Sequence, residues 1–107
     1  MNTQFKKGVL ELLVLLSVAK KDMYGYELVQ EVSKVTDINE GTIYPLLRRL
    51  TNEKCFDTYL VESTEGPPRK YYKITSLGLT KKDKILSVWN DFSKSVNNFI
   101  KGSDKNE

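Results

Sequence analysis

Within residues 39–54 four branched apolar side chains, Ile43, Leu46, Leu47 and Leu50, fall at the i, i+3, i+4 and i+7 positions of a single helical stripe. The other side of that helix carries Gly41, Thr42, Pro45, Arg48, Arg49 and Asn52. The pattern demands a helix that buries one face. Its outer face divides into small or hydrogen-bonding residues in the first turn and two guanidinium groups in the second. A helix lying in a DNA major groove needs that division: its first residues approach base edges, while Arg bonds guanine bidentately or clamps phosphate. A merely solvated helix would show the same residues, so the neighbouring segments have to decide.

The segment before it, residues 24–35, reads as a second helix with Leu28, Val32, Val35 and Val29 inward and Glu27, Gln30, Glu31 and Lys34 outward. Asp22 is its expected N-cap. Gly25 in the first turn costs about 1 kcal/mol against alanine, which suggests that something packs closely on the bare backbone there. A three-residue turn, Thr36-Asp37-Ile38, then leads to Asn39, so the two helices form a helix-turn-helix. Pro45 leaves two caps open for the next helix. Asn39 as cap places the proline where it removes the bond to Gly41; Thr42 as cap puts it near the helix start, where a missing N–H costs little.

Upstream, residues 3–20 read as a helix whose apolar positions, among them Phe5, Val9, Leu10, Leu13 and Leu16, spread around most of its circumference. It is expected to be buried on more than one side. Its apolar run is interrupted by Glu11 and is too short to cross a bilayer, which takes about 20 residues. Downstream, residues 56–63 and 70–75 are strand candidates, with Tyr72 and Ile74 on one face of the second. Gly66-Pro67-Pro68 between them makes a stiff hairpin tip, and Arg69 and Lys70 follow it at once. A basic hairpin after a helix-turn-helix is the wing of a winged helix.

The last helix is expected over residues 76–101. Ile85, Trp89, Phe92, Val96 and Phe99 alternate spacings of four and three, the two-per-heptad seam of helix–helix association. Three helices and a hairpin leave no further surface for it within one chain, so a homodimer is expected, packed through this helix. The architecture expected is therefore mainly α with a small β-hairpin. Residues 1–75 form a winged helix-turn-helix, 76–101 a C-terminal dimerisation helix and 102–107 a polar, disordered tail.

Composition narrows the function. Seventeen basic against 14 acidic residues leave a net charge of +3, too mild for nucleic-acid binding unless the cations cluster. With no histidine, histidine-based catalysis and His-ligated metals are excluded. The single Cys55 makes no intramolecular disulfide, reads as a small core residue and suits a reducing, cytoplasmic setting. No catalytic constellation, cofactor motif or metal site is expected, and an enzyme is not.

Four segments together carry a family resemblance: Tyr24-Gly25-Tyr26-Glu27-Leu28, Gly41-Thr42-Ile43-Tyr44-Pro45-Leu46-Leu47-Arg48-Arg49-Leu50, Arg69-Lys70-Tyr71-Tyr72-Lys73-Ile74-Thr75 and Gly78. In this order and spacing the chain resembles the PadR family of bacterial transcriptional regulators, in its small form with a single C-terminal helix. The resemblance implies a homodimeric repressor of neighbouring genes, bound to double-stranded DNA at a pseudo-palindromic operator. It implies DNA contacts from Tyr24, Gly41, Thr42, Tyr44, Arg48, Arg69 and Lys70, beside Asn39 and Arg49 on the same helix. It also implies a dimer in which the last helix packs on the first, through Phe5, Val9, Leu13, Ile85, Trp89, Phe92, Val96 and Phe99.

Some small members bind flat apolar drugs at the dimer interface through an aromatic residue aligned with Trp89. The resemblance thus implies a planar apolar or cationic effector held by Trp89 and Phe92, although Trp89 could instead simply fill the seam. One position departs from the family. Lys54 stands where a glycine is common between the third helix and the first strand, and a left-handed backbone there would cost about 1 kcal/mol. A different class of function, a winged-helix module that binds protein and not DNA, is kept open by the mild charge and by Glu40, Glu53, Glu62 and Glu65.

Overall fold

The computed structural model describes residues 3–105, with side chains described over residues 8–102. Phe5, expected at the partner-facing surface, lies outside the described side chains. Seven elements follow one another: α1 (Thr3–Lys20), β1 (Met23–Tyr24), α2 (Gly25–Ser33), α3 (Glu40–Asn52), β2 (Phe56–Val61), β3 (Arg69–Ile74) and α4 (Ser76–Lys105). The fold is mainly helical, with a winged helix-turn-helix and one long C-terminal helix.

The core forms where the apolar stripes meet. Val14, Leu15 and Val18 of α1, Leu28 and Val32 of α2, and Ile43, Leu47 and Leu50 of α3 are almost wholly buried together with Cys55, Phe56 and Tyr72. Leu46, the fourth member of the α3 stripe, packs against the edge of this cluster. Leu12 is buried apart from the cluster, against α4. α1 is thus covered on more than one side, as its all-round apolar pattern requires.

The sheet has three strands, ordered β1-β3-β2, where the sequence suggested a hairpin alone. β1 is only two residues long, Met23 opposite Tyr72 and Tyr24 opposite Tyr71, too short to show any periodicity. Its presence moves the start of α2. Tyr24, not Asp22, precedes the first helical residue, and the Glu27 carboxylate accepts from the Tyr24 N–H at 3.3 Å. Asp22 instead accepts from the Tyr59 hydroxyl at 2.6 Å. α2 also ends at Ser33, so Val35 leaves the inner stripe and stands 62% exposed.

Between α3 and β2 the chain turns at Lys54, which adopts φ 68°. Cys55 N–H bonds the Leu50 carbonyl at 2.9 Å and Lys54 N–H the Thr51 carbonyl at 3.0 Å. These are the paired bonds of a Schellman termination, with buried Leu50 and Cys55 supplying its apolar contact. The left-handed position is therefore real, and lysine occupies it.

Thr75 then ties the start of α4 to this turn. Its hydroxyl donates to the Lys54 carbonyl at 2.7 Å and accepts from the Gly78 N–H at 3.0 Å. A Cβ on Gly78 would collide with the Cys55 carbonyl and stand 2.7 Å from Ile74 Cγ1. α4 can pass this closely only because Gly78 has no side chain. The helix continues through Gly102 to Lys105, beyond the end expected at Lys101, since no proline interrupts residues 76–105.

Candidate nucleic-acid interface

Asn39 is the cap of α3: its side-chain oxygen accepts from the Thr42 N–H at 3.2 Å. That resolves the two openings the sequence allowed. Pro45 consequently lies inside the helix, and its missing N–H removes the bond to the Gly41 carbonyl. Gly41, Thr42, Tyr44 and Pro45 are all exposed, so the weakened first turns face outward, with Tyr44 the one bulky side chain among the four.

Tyr44 leans from α3 onto α2. A Cβ on Gly25 would stand 2.6 Å from its Oη and 2.8 Å from its Cζ, so the ring rests on bare backbone. This is the close approach that glycine in a helix's first turn foreshadowed. Burial raises the Tyr44 phenol above its ordinary pKa, and the Glu40 charge adds to the shift. The hydroxyl stays protonated at neutral pH and can donate to an anion.

A groove of about 760 Å³ opens between this surface and the wing, its lining including Tyr24, Tyr44, Arg48, Arg69 and Lys70. Among its lining residues the three cations Arg48, Arg69 and Lys70 meet a single carboxylate, Glu65. Charge that is mild over the whole chain is clustered here. Tyr26, which flanks Gly25 in sequence as Tyr24 does and offers a second hydroxyl, also lines the groove, as do Thr51 and Asn52, which were not among the expected contacts. Asn52 carried the one available signal, its place on the outer face one turn beyond Arg48.

Arg49 goes elsewhere. Its guanidinium bonds Glu53 at 2.9 Å and Glu11 of α1 at 3.2 Å, while Lys81 of α4 reaches the same two carboxylates at 2.7 and 2.8 Å. Four alternating charges close a ring joining α1, α3 and α4. Hydrogen bonds from Lys81 and Arg49 hold the Glu53 carboxyl below its usual range. Desolvation works against the Lys81 ammonium, but bonds to Glu11 and Glu53 outweigh it and raise its pKa. Arg49 is therefore separated from the groove that its neighbour Arg48 lines, and it joins helices to one another.

A second surface, on α4, is apolar. Along α4, Val88, Trp89, Phe92, Val96, Phe99 and Ile100 are exposed, Phe99 by 76%. They recur at helical spacing along one helix, an exposed apolar strip of the kind that marks an interaction surface. Leu13 and Ile85, expected on the same partner-facing surface, instead lie partly buried against the chain's own core. Beside them a cavity of about 300 Å³ lies between α1 and α4, lined by Val9, Leu12, Ile85, Val88, Trp89 and Phe92 with Gly8 at its margin. Burial raises the Cys55 thiol above its ordinary pKa and keeps it protonated, with the nearby Lys81 opposing. Among the described residues no His, Cys, Asp or Glu cluster could hold a metal ion, and no helix is long and apolar enough to cross a membrane.

Comparison with known proteins agrees with this architecture. A family model described as the transcriptional regulator PadR-like family matches residues 12–84. A PadR-like transcriptional regulator from Bacillus cereus is 41% identical, with a TM-score of 0.82 over 92% of this chain and 97% of its own. A PadR-like transcription factor from Bacteroides fragilis is 37% identical, with a TM-score of 0.77 over 91% and 95% of the two chains. An uncharacterized protein of Lysinibacillus sphaericus is 33% identical over 100 residues, spanning 90% of this chain and 92% of its own. The match covers both the groove-bearing helices and the start of α4, and the chain belongs to the PadR-like family of transcriptional regulators.

Proposed function

We propose that the chain is a homodimeric, sequence-specific DNA-binding repressor whose operator is pseudo-palindromic. The observation that carries this is the groove between α3 and the wing, where Arg48, Arg69 and Lys70 converge beside the small first-turn residues of α3. Gly41 and Thr42 admit base edges, Tyr44 and Tyr24 offer hydroxyls to phosphate, and the three cations neutralise phosphates on either side. Affinity should then fall steeply with salt, because each neutralised phosphate releases condensed counterions.

The exposed α4 strip supports the second half of the reading. A second copy covering Trp89, Phe92, Val96 and Phe99 would remove these side chains from water. It would also hold two α3 helices a fixed span apart, suited to half-sites about one helical turn, or 34 Å, from each other. The cavity beneath Trp89 and Phe92 suits a planar apolar or cationic effector at that seam. Anything wedged there would change the span between the two α3 helices and so couple effector to operator.

Selection of bound duplexes from a random DNA pool by the purified chain tests the DNA reading. Enriched inverted repeats are expected; a pool that stays unenriched at low salt would point instead to a winged-helix module that binds protein. Sedimentation at micromolar concentration tests the pairing, and a stable, folded single protomer would refute it. For the effector, a planar cationic dye titrated into the DNA-free protein should quench Trp89 fluorescence. Several such dyes leaving the emission unchanged would retire that part.

A further inference from the structure

The Arg69 guanidinium is not loose on the wing. Its carbon sits 4.7 Å from the centroid of the Tyr24 ring. Tyr24 is braced in turn by Tyr71, at 5.4 Å and 54°, and Tyr59 stacks on Tyr71 at 5.6 Å and 12°. The strand register produces this row: Tyr24, Tyr71 and Tyr59 lie opposite one another across β1, β3 and β2. Arg69, two residues before Tyr71, shares their face of the sheet. The far end is pinned as well, since the Tyr59 hydroxyl donates to Asp22 Oδ2 at 2.6 Å. Asp22 stands two residues ahead of Tyr24, just before β1, so the row ends beside the strand from which it began.

The core does not account for this row. Phe56, Tyr72 and Ile74 fill the inner face of the sheet, whereas Tyr59 is exposed and Tyr71 only half-buried. An exposed arginine samples many rotamers, and ordering it when it binds an anion weakens the association. Resting over an aromatic face, it is ordered in advance.

We propose that Tyr71 and Tyr59 are positioning residues for Arg69, holding the Tyr24 ring so that the guanidinium is fixed at the rim of the groove before DNA arrives. The inference rests on reading that groove as the DNA site. It assigns a role to two tyrosines that do not themselves line the groove.

A double-mutant cycle on the full chain tests it, with affinity measured at fixed salt for the duplex recovered by selection. Tyr71→Leu is expected to weaken binding about threefold to tenfold, the range set by ordering one long side chain. In the Arg69→Ala background the same change should cost nothing further. Tyr71→Phe, which keeps the stack, should bind like the parent. Tyr59→Phe, which loses only the bond to Asp22, should show a smaller loss that also vanishes without Arg69, and it guards against a Tyr71→Leu protein that fails to fold. Equal losses with and without Arg69 would make the tyrosines ordinary scaffold and overturn the proposal. So would unchanged binding by both Tyr71→Leu and Tyr59→Phe. If Arg69→Ala itself binds like the parent, the wing's part in DNA binding fails first, and the cycle separates that result from failure of the positioning role.

Discussion

Replacing Gly25 by alanine should separate stability from function. The new methyl would lie 2.6 Å from Tyr44 Oη and 2.8 Å from Cζ, too close for either group to stay in place. What it meets is the end of a side chain that is already 37% exposed, so the ring can swing into solvent. Alanine in a helix adds about 1 kcal/mol over glycine. Losing the remaining burial of the displaced ring costs about 1–2 kcal/mol. The two nearly cancel, and a net destabilisation of at most about 1 kcal/mol is expected. DNA binding should respond far more, because a displaced hydroxyl no longer reaches the phosphate. One charge-assisted hydrogen bond is worth about 1.5–3 kcal/mol, hence a loss of about tenfold or more at each half-site. Urea unfolding and fluorescence anisotropy with the selected duplex read the two quantities on one sample. In a Tyr44→Ala background the methyl has room, and Gly25→Ala should then stabilise by about 1 kcal/mol. Destabilisation beyond about 2 kcal/mol with unchanged affinity would refute the reasoning, since the ring would then be fixed by its surroundings and remote from DNA.

Other substitutions probe the same physics. Gly78→Ala meets a backbone carbonyl in place of a movable ring, so it should destabilise by about 1–3 kcal/mol and lower the thermal midpoint, with a gain or no change ruling out the tight α4 approach. Arg48→Ala should weaken operator binding and flatten its salt dependence while the fold persists, whereas Arg49→Ala should lower the midpoint of unfolding and leave the salt slope intact. The reverse pattern would place the wrong arginine in the groove. Lys54→Gly relieves a left-handed backbone and should raise stability by up to about 1 kcal/mol, as measured by urea unfolding; a clear loss would mean that the lysine side chain itself contributes.

Tyr59, whose bond to Asp22 pushes its pKa up to about 12, gives a pH test. A folded value above the unfolded one means that this interaction stabilises below pH 10 and is lost as pH rises towards 12. Tyrosinate absorbance should reveal, among the late-titrating tyrosines, one group that Asp22→Asn brings back towards its ordinary range. An unchanged titration would show that the bond is absent in solution.

The α3 stripe and the all-round apolar face of α1 were legible because each is a local pattern, repeated over enough residues to fix both an element and its buried side. The Gly66-Pro67-Pro68 tip was legible from its turn chemistry, and the α4 spacing fixed a helix whose apolar side stands exposed in the single chain. Amphipathic period and turn chemistry, together with the resemblance to PadR-like regulators, already implied the winged fold and its outward cations. They could not show β1, since two residues carry no period and the strand exists only because β3 lies beside it. Nor could they distinguish Arg48 from Arg49. Adjacent positions on a helix point about 100° apart, and which of them meets Glu11 and shares that carboxylate with Lys81 depends on how α1 and α4 pack against α3. Gly25 announced a close approach without naming Tyr44 as the visitor, and no spacing predicts that Asp22 abandons a helix cap for the hydroxyl of a tyrosine 37 residues away. Local chemistry sets what each segment can become. Contacts between segments distant in sequence decide which cation faces the groove and which is used to hold the helices together.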